Sequence, residues 1–164
     1  MAQPTTSERT TGRTTDRGGV TRTPVQKGAG IVGVVFLLVG IAGFIPGITQ
    51  NLDTIEWVGH ESEAELLGLF RVNILHNLVH LAFGLIGLWA ARTASTAKGF
   101  LIGGGVVYLA LWLYGLVIEL DSDANFVALN DADNWLHLGL GAGMILLGLV
   151  LRGHTVDVRD RSVR

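Results

Sequence analysis

The amino-acid sequence predicts an all-α fold, a polytopic membrane four-helix bundle built from two tandem helical hairpins, and three observations predict it. Four apolar runs are separated by polar segments, each run near the roughly 20 residues needed to cross about 30 Å of hydrocarbon. Charge is segregated between alternate segments, and a polar word, Asn-x-x-His-Leu-x-x-Gly, occurs twice. The bulk composition agrees. Of 164 residues, 49% are apolar and only 16% charged, against about a quarter in soluble domains.

Residues 1–27 form a Thr/Arg/Gly-rich arm without periodicity, which predicts disorder. The first span runs from Gly28 to Ile45 and stops at Pro46-Gly47. Its long polar flank, its length and the absence of a small-x-small site mark it as a retained span, not a cleaved signal. The second runs from about Leu66 to Ala91, behind Ser62-Glu63-Ala64-Glu65, which has the form of a capping box. The third covers Phe100 to about Leu120. The fourth covers Asn134 to Leu151, with Asn130 as its N-cap, and residues 152–164 form a tail.

Basic residues orient the spans. Eleven of the 12 Lys and Arg lie in the arm, the loop between spans 2 and 3, and the tail. The other loops hold ten acids, among them Glu56, Glu61, Glu119, Asp121 and Asp133, and no Lys or Arg. Both termini are therefore expected in the cytoplasm, in the cell membrane. The arm and tail charges are interleaved with Thr and acids, so topology accounts for them without a lipid-binding role.

Self-comparison predicts an internal repeat. Gly33-Val34-Val35-Phe36-Leu37 matches Gly105-Val106-Val107-Tyr108-Leu109, and Asn77-Leu78-Val79-His80-Leu81 matches Asn134-Trp135-Leu136-His137-Leu138. Two such hairpins would be related by a pseudo-two-fold axis along the membrane normal.

Each span carries a stripe of small and polar residues at helical spacing, the kind of face that membrane helices bury against one another. The polar members lie toward the outer end and the glycines toward the inner. The expectation is a tightly packed inner half and an outer-leaflet pocket lined by His76, His80, His137, Asn73, Asn77, Asn134 and Glu119 over a floor of Trp112 and Tyr108. Arg71 lies opposite His80 on the helix wheel and is expected to reach headgroups or a loop acid.

The pattern resembles a family of small bacterial four-pass membrane proteins catalogued as domain of unknown function 4383. The resemblance rests on Phe44-Ile45-Pro46-Gly47-Ile48-Thr49, His76-Asn77-Leu78-Val79-His80, Leu111-Trp112-Leu113-Tyr114-Gly115 and Ala132-Asp133-Asn134-Trp135-Leu136-His137. It covers about residues 28–151, and implies four passes and a membrane location but no activity.

Several chemistries are excluded outright. With no cysteine there are no disulfides, thiolate metal sites, iron–sulfur clusters or CxxCH haem. No GxSxG, P-loop, Rossmann or HExxH motif occurs, and the residue after His76 is Asn77, so a zinc-protease base is missing. Nothing points to nucleic acid, and enzymatic activity is not favoured. The leading reading makes the chain a structural or accessory membrane protein, its pocket residues hydrogen-bonding between helices, with no cofactor. The partners expected are the bilayer and a homo-oligomer or another membrane protein. Three alternatives compete: haem b held by His80 and His137 across the bundle, a divalent metal on His76, His80 and His137, and proton or small-solute handling by an oligomer through the His and Glu side chains.

Overall fold

Four α-helices and a small three-stranded antiparallel sheet appear in a computed structural model that describes residues 21–154. The expected disordered arm falls largely on residues 1–20, and most of the tail on 155–164, outside the described residues.

Helix α1 spans Pro24–Ala42 and so begins four residues before the expected Gly28. Local chemistry moves the start. Thr23 and Gln26 close a capping box, and Pro24 at the first position has no N–H to leave unpaired. The helix ends at Gly43, because the Thr49 hydroxyl donates to the Ala42 carbonyl at 2.9 Å and the chain then tightens into turns through Phe44 and Ile45.

The second apolar run differs most from expectation. Residues 66–73 are not helical. Strands β1 (Thr49–Gln50), β2 (Glu65–Leu66) and β3 (Phe70–Arg71) pair antiparallel in that order. Leu67 and Gly68 both take positive φ, 56° and 66°, the sign pattern a tight I′-type hairpin turn needs and a right-handed helix forbids. Ser62 caps nothing; its hydroxyl donates to the Val72 carbonyl at 2.6 Å. Asn73 supplies the cap instead, accepting the His76 amide at 2.8 Å, and α2 runs Ile74–Ala90. Leu66 and Val72 are apolar because they bury under this sheet with Ala64 against Val39 and Ala42.

Helix α3 spans Ala94–Val117 behind Thr93, displaced toward the N-terminus from the expected 100–120. Helix α4 spans Asp131–Val150, with Asn130 as its N-cap and Asp133 completing a capping box. Helices α1, α3 and α4 are long and apolar enough to cross a membrane, whereas α2, at 17 residues, is apolar but shorter. At 1.5 Å per residue α2 reaches only about 25 Å. Outward faces are apolar on all four, as Ile31, Leu38, Leu85, Ile86, Val106, Leu116, Leu146 and Leu149 illustrate, which is the surface a bilayer demands. The chain is a membrane protein of mostly helical structure.

Glycines set the closest contacts. Helix α1 packs on α2 where Gly33 meets Gly84 and Gly87, and α3 packs on α4 where Gly105 meets Gly141. The pairs meet through α1 and α3, with Phe36 stacked on Tyr108 at 5.3 Å between ring centroids. Gln26 Nε2 donates to the Ala91 and Arg92 carbonyls, and the Val25 amide to Arg152 O. These bonds gather the start of α1, the α2–α3 turn and the end of α4 at one end of the bundle, with Arg22, Lys27, Arg92, Lys98 and Arg152 near it. The sheet and the acidic loops occupy the other end. They also hold Arg71, which falls inside the second apolar run but lies in β3, 3.9 Å from Asp121. The half nearer the basic end is filled by Val25, Ala29, Phe83, Phe100, Leu101 and Met144.

Candidate functional site: a layer of His and Asn beneath the loops

The N-terminal turns of α2 and α4 place Asn73, His76, Asn77 and His80, and Asn134 and His137, in the bundle interior, all of them buried. Asn73 caps α2 and donates from Nδ2 to Gly59 O at 3.1 Å and Phe126 O at 2.9 Å, so one side chain ties two loops to the helix. Asn77 donates to Gly43 O at 2.9 Å, an approach that a Cβ at position 43 would block. Asn134 packs against Gly115 in the same way, but its Oδ1 has no partner.

The imidazoles form a group. His76 Nδ1 lies 3.0 Å from Val127 O, and His80 Nδ1 lies 3.1 Å from His76 O. A carbonyl can only accept, so both rings carry their proton on Nδ1 and leave Nε2 as an acceptor. The two rings stack at 4.7 Å, and His137 sits 6.3 Å from His76. His80 rests on Phe36 at 5.6 Å and His137 on Tyr108 at 5.2 Å. His137 Nδ1 is buried without a hydrogen-bond partner, as is Trp112 Nε1.

Two cavities of about 220 Å³ each flank the histidines, and His76, His80 and His137 line both. One opens between α2 and α3, past Val79, Val107 and Tyr108 and under Phe126–Leu129. The other lies toward α1 and α4, bounded by Val39, Leu136 and Asp133 and roofed by Leu66, Phe70 and Val72 of the sheet region.

Of the expected pocket residues, His76, His80, His137, Asn77 and Tyr108 border these cavities, whereas Asn73, Asn134, Glu119 and Trp112 do not. Glu119 lies beyond the end of α3, exposed in the loop, where its backbone carbonyl accepts from Ser122; α3 stops too early to carry it inward. Trp112 is partly buried on α3 but borders neither cavity. Asp133, counted in the sequence as a loop acid, is instead buried and lines the second cavity. The signal for it was present: when Asn73 is aligned with Asn130 and His80 with His137, Asp133 falls opposite His76. Asn125 was missed entirely. Its side chain donates to Leu120 O and Leu129 O and accepts the Leu129 amide, which folds the last loop.

A family model described as Domain of unknown function (DUF4383) matches residues 26–150. The chain belongs to this family. No curated protein and no solved structure matches it. The family span ends at the last residue of α4 and takes in the whole His/Asn layer and the sheet.

Among the described residues no three His, Asp or Glu side chains converge closely enough to hold a metal ion. His80 and His137 rest against the stacked Phe36–Tyr108 pair, and His76 stands beside both. The adjoining cavities also fall below the roughly 300–1,000 Å³ of ordinary cofactor and drug pockets.

Proposed function

We propose that the chain is a structural or accessory protein of the cytoplasmic membrane, four-pass, with two tandem hairpins and both termini in the cytoplasm. Its His/Asn layer holds the outer loops and sheet onto the helices. One observation carries this reading: the side chains of Asn73, His76, Asn77, Asn125 and Asn130 each bond a backbone carbonyl of a loop or helix end. Loop carbonyls at membrane depth lack water and need such partners.

The tandem arrangement is supported by contacts that recur between the hairpins. Gly33–Gly84 recurs as Gly105–Gly141, Gly43–Asn77 as Gly115–Asn134, and the Asn73 cap as Asn130. Phe36 and Tyr108, matched in the sequence repeat, stack on one another where the two-fold would pass. The orientation rests on the basic end and on the rule that Lys and Arg stay inside. Transport through a single chain is disfavoured because Phe83, Phe100, Leu101 and Met144 fill the half below the histidines.

The absence of cysteine makes the topology directly testable. Single cysteines at Val58 and Asp123 should react with an impermeant thiol reagent in intact cells, and one at Ser95 only after lysis. Labelling of Val58 and Asp123 from opposite sides would remove the four-pass reading. For the role, protein purified in mild detergent should be colourless, and His80→Ala should destabilise it. A Soret band lost in His80→Ala or His137→Ala would overturn the structural assignment.

A further inference from the structure

We propose that the cavity between α2 and α3 binds the ring of a membrane-dissolved phenol- or quinone-type compound. Size, walls, polar groups and access all bear on this. An apolar cavity of about 150 Å³ accommodates benzene, and this one, at about 220 Å³, has room for a single substituted ring. Its walls are Val79, Val107 and Leu111 together with the rings of Tyr108 and His137. Flat aromatic ligands gain from such surroundings through stacked and edge contacts.

The polar groups are few and of defined kind. His76 and His80 donate through Nδ1 to carbonyls, so the nitrogen each has left is an acceptor suited to a ring hydroxyl. His137 is 3% exposed, borders the cavity, and has an Nδ1 without a partner. A buried ring nitrogen is unfavourable until something bonds it, and a hydroxyl or carbonyl on the ligand would do so. Saturated acyl chains offer neither group.

Access selects for lipophilic molecules. The rim residues Val79 and Val107 are 44% and 47% exposed on the outward, apolar sides of α2 and α3, so a ligand enters from lipid and not from water. The second cavity is different. Leu66 and Val72 roof it, and its lining adds the Asp133 carboxyl, which the first cavity lacks. Binding is therefore expected on one side only.

This inference rests on the membrane reading above, yet the two fail separately. A chain absent from the membrane fraction defeats that reading. A membrane-inserted chain that does not bind the probe defeats this one. The test is equilibrium dialysis of the full chain in mild detergent with a decyl-substituted benzoquinone and its hydroquinone, with decanol as competitor. Saturable binding at one site per chain is expected, unaffected by decanol. Val107→Trp, at an outward-facing position that leaves the fold intact, should abolish it. His137→Phe keeps a ring but removes the nitrogen and should weaken binding about tenfold, the equivalent of one hydrogen bond. Binding that only rises linearly with probe, that decanol displaces, or that Val107→Trp leaves unchanged would each overturn the proposal.

Discussion

Replacing Gly33 by alanine should push α1 off α2, and the size of the effect can be worked from the contact. A Cβ at position 33 would stand 2.9 Å from Gly84 O and from Leu88 N, and 3.1 Å from Gly87 C. All three are backbone atoms of one helix, so no side chain can swing aside. Ordinary contacts begin near 3.5 Å, so the helices would have to separate by about half an ångström along the seam. Overpacking of this kind costs about 1–3 kcal/mol, offset by up to about 1 kcal/mol from the better helix propensity of alanine. With the full offset, a net loss of up to about 2 kcal/mol is expected. Gly105→Ala should match it, because its Cβ would meet Gly141 O at 2.7 Å and Ile145 N at 3.0 Å. Gly103 and Gly143 face open space, so alanine there should be neutral or stabilising. Reversible unfolding in mixed micelles followed by circular dichroism reads all four on one scale. If Gly33→Ala proves as stable as Gly103→Ala, close backbone approach does not hold α1 on α2.

Three further outcomes follow from the polar layer and the loops. Asn130→Ala should lose one cap, about 1 kcal/mol, and one loop bond, to Leu69 O, whereas Asn73→Ala should lose more, since it strands two carbonyls, Gly59 O and Phe126 O; a smaller shift in thermal midpoint for Asn73→Ala than for Asn130→Ala would contradict the bridging role of Asn73. His76→Leu should speed amide exchange in residues 122–129 while leaving the 65–71 hairpin protected, because Val127 O is the carbonyl it releases; unchanged protection of that loop would show that His76 does not hold it. Arg71→Gln should leave stability within about 0.5 kcal/mol, as its 3.9 Å contact is to an Asp121 side chain that is 92% exposed; a larger loss in the same unfolding measurement would mean the arginine has another partner.

What could be read in the sequence follows from which physical rule acted alone. Four apolar runs were legible because lipid and helix packing ask for the same residues. The stripe on α2 was legible too: His76, Asn77, His80, Gly84 and Gly87, chosen by spacing, are all buried. Asn130 announced the start of α4, since a side chain that caps is chemically specific. Where two rules competed, the reading failed. Leu66 to Phe70 is as apolar as a span, but burial under a hairpin demands that as well, and Gly68 with its positive φ decides for the turn. Glu119 was placed in the pocket by a periodicity that assumed α3 continued past Val117. Long-range bonds such as His76 to Val127 leave no mark at any fixed spacing, and only the folded chain reveals them.

The two halves of the bundle pose different problems, and the residues divide accordingly. Near the basic end the helices meet with their backbone groups satisfied internally, so only close packing is needed, and glycine with aliphatic and aromatic fill supplies it. Near the loops the backbone leaves regular structure, carbonyls at Gly43, Gly59, Phe126 and Val127 need donors, and Asn and His provide them. That requirement accounts for Asn73, His76 and Asn77 without any ligand. It does not account for the remainder. Asn134 Oδ1, His137 Nδ1 and Trp112 Nε1 are the buried side-chain atoms without partners among the described residues, and all three belong to α3 and α4. The counterpart of His137 Nδ1 on α2 is occupied, since His80 Nδ1 donates to His76 O. A fold that bonds Nδ1 of His80 and leaves Nδ1 of His137 open has polar capacity that it does not use. The cavity beside His137 is therefore where binding should be sought first.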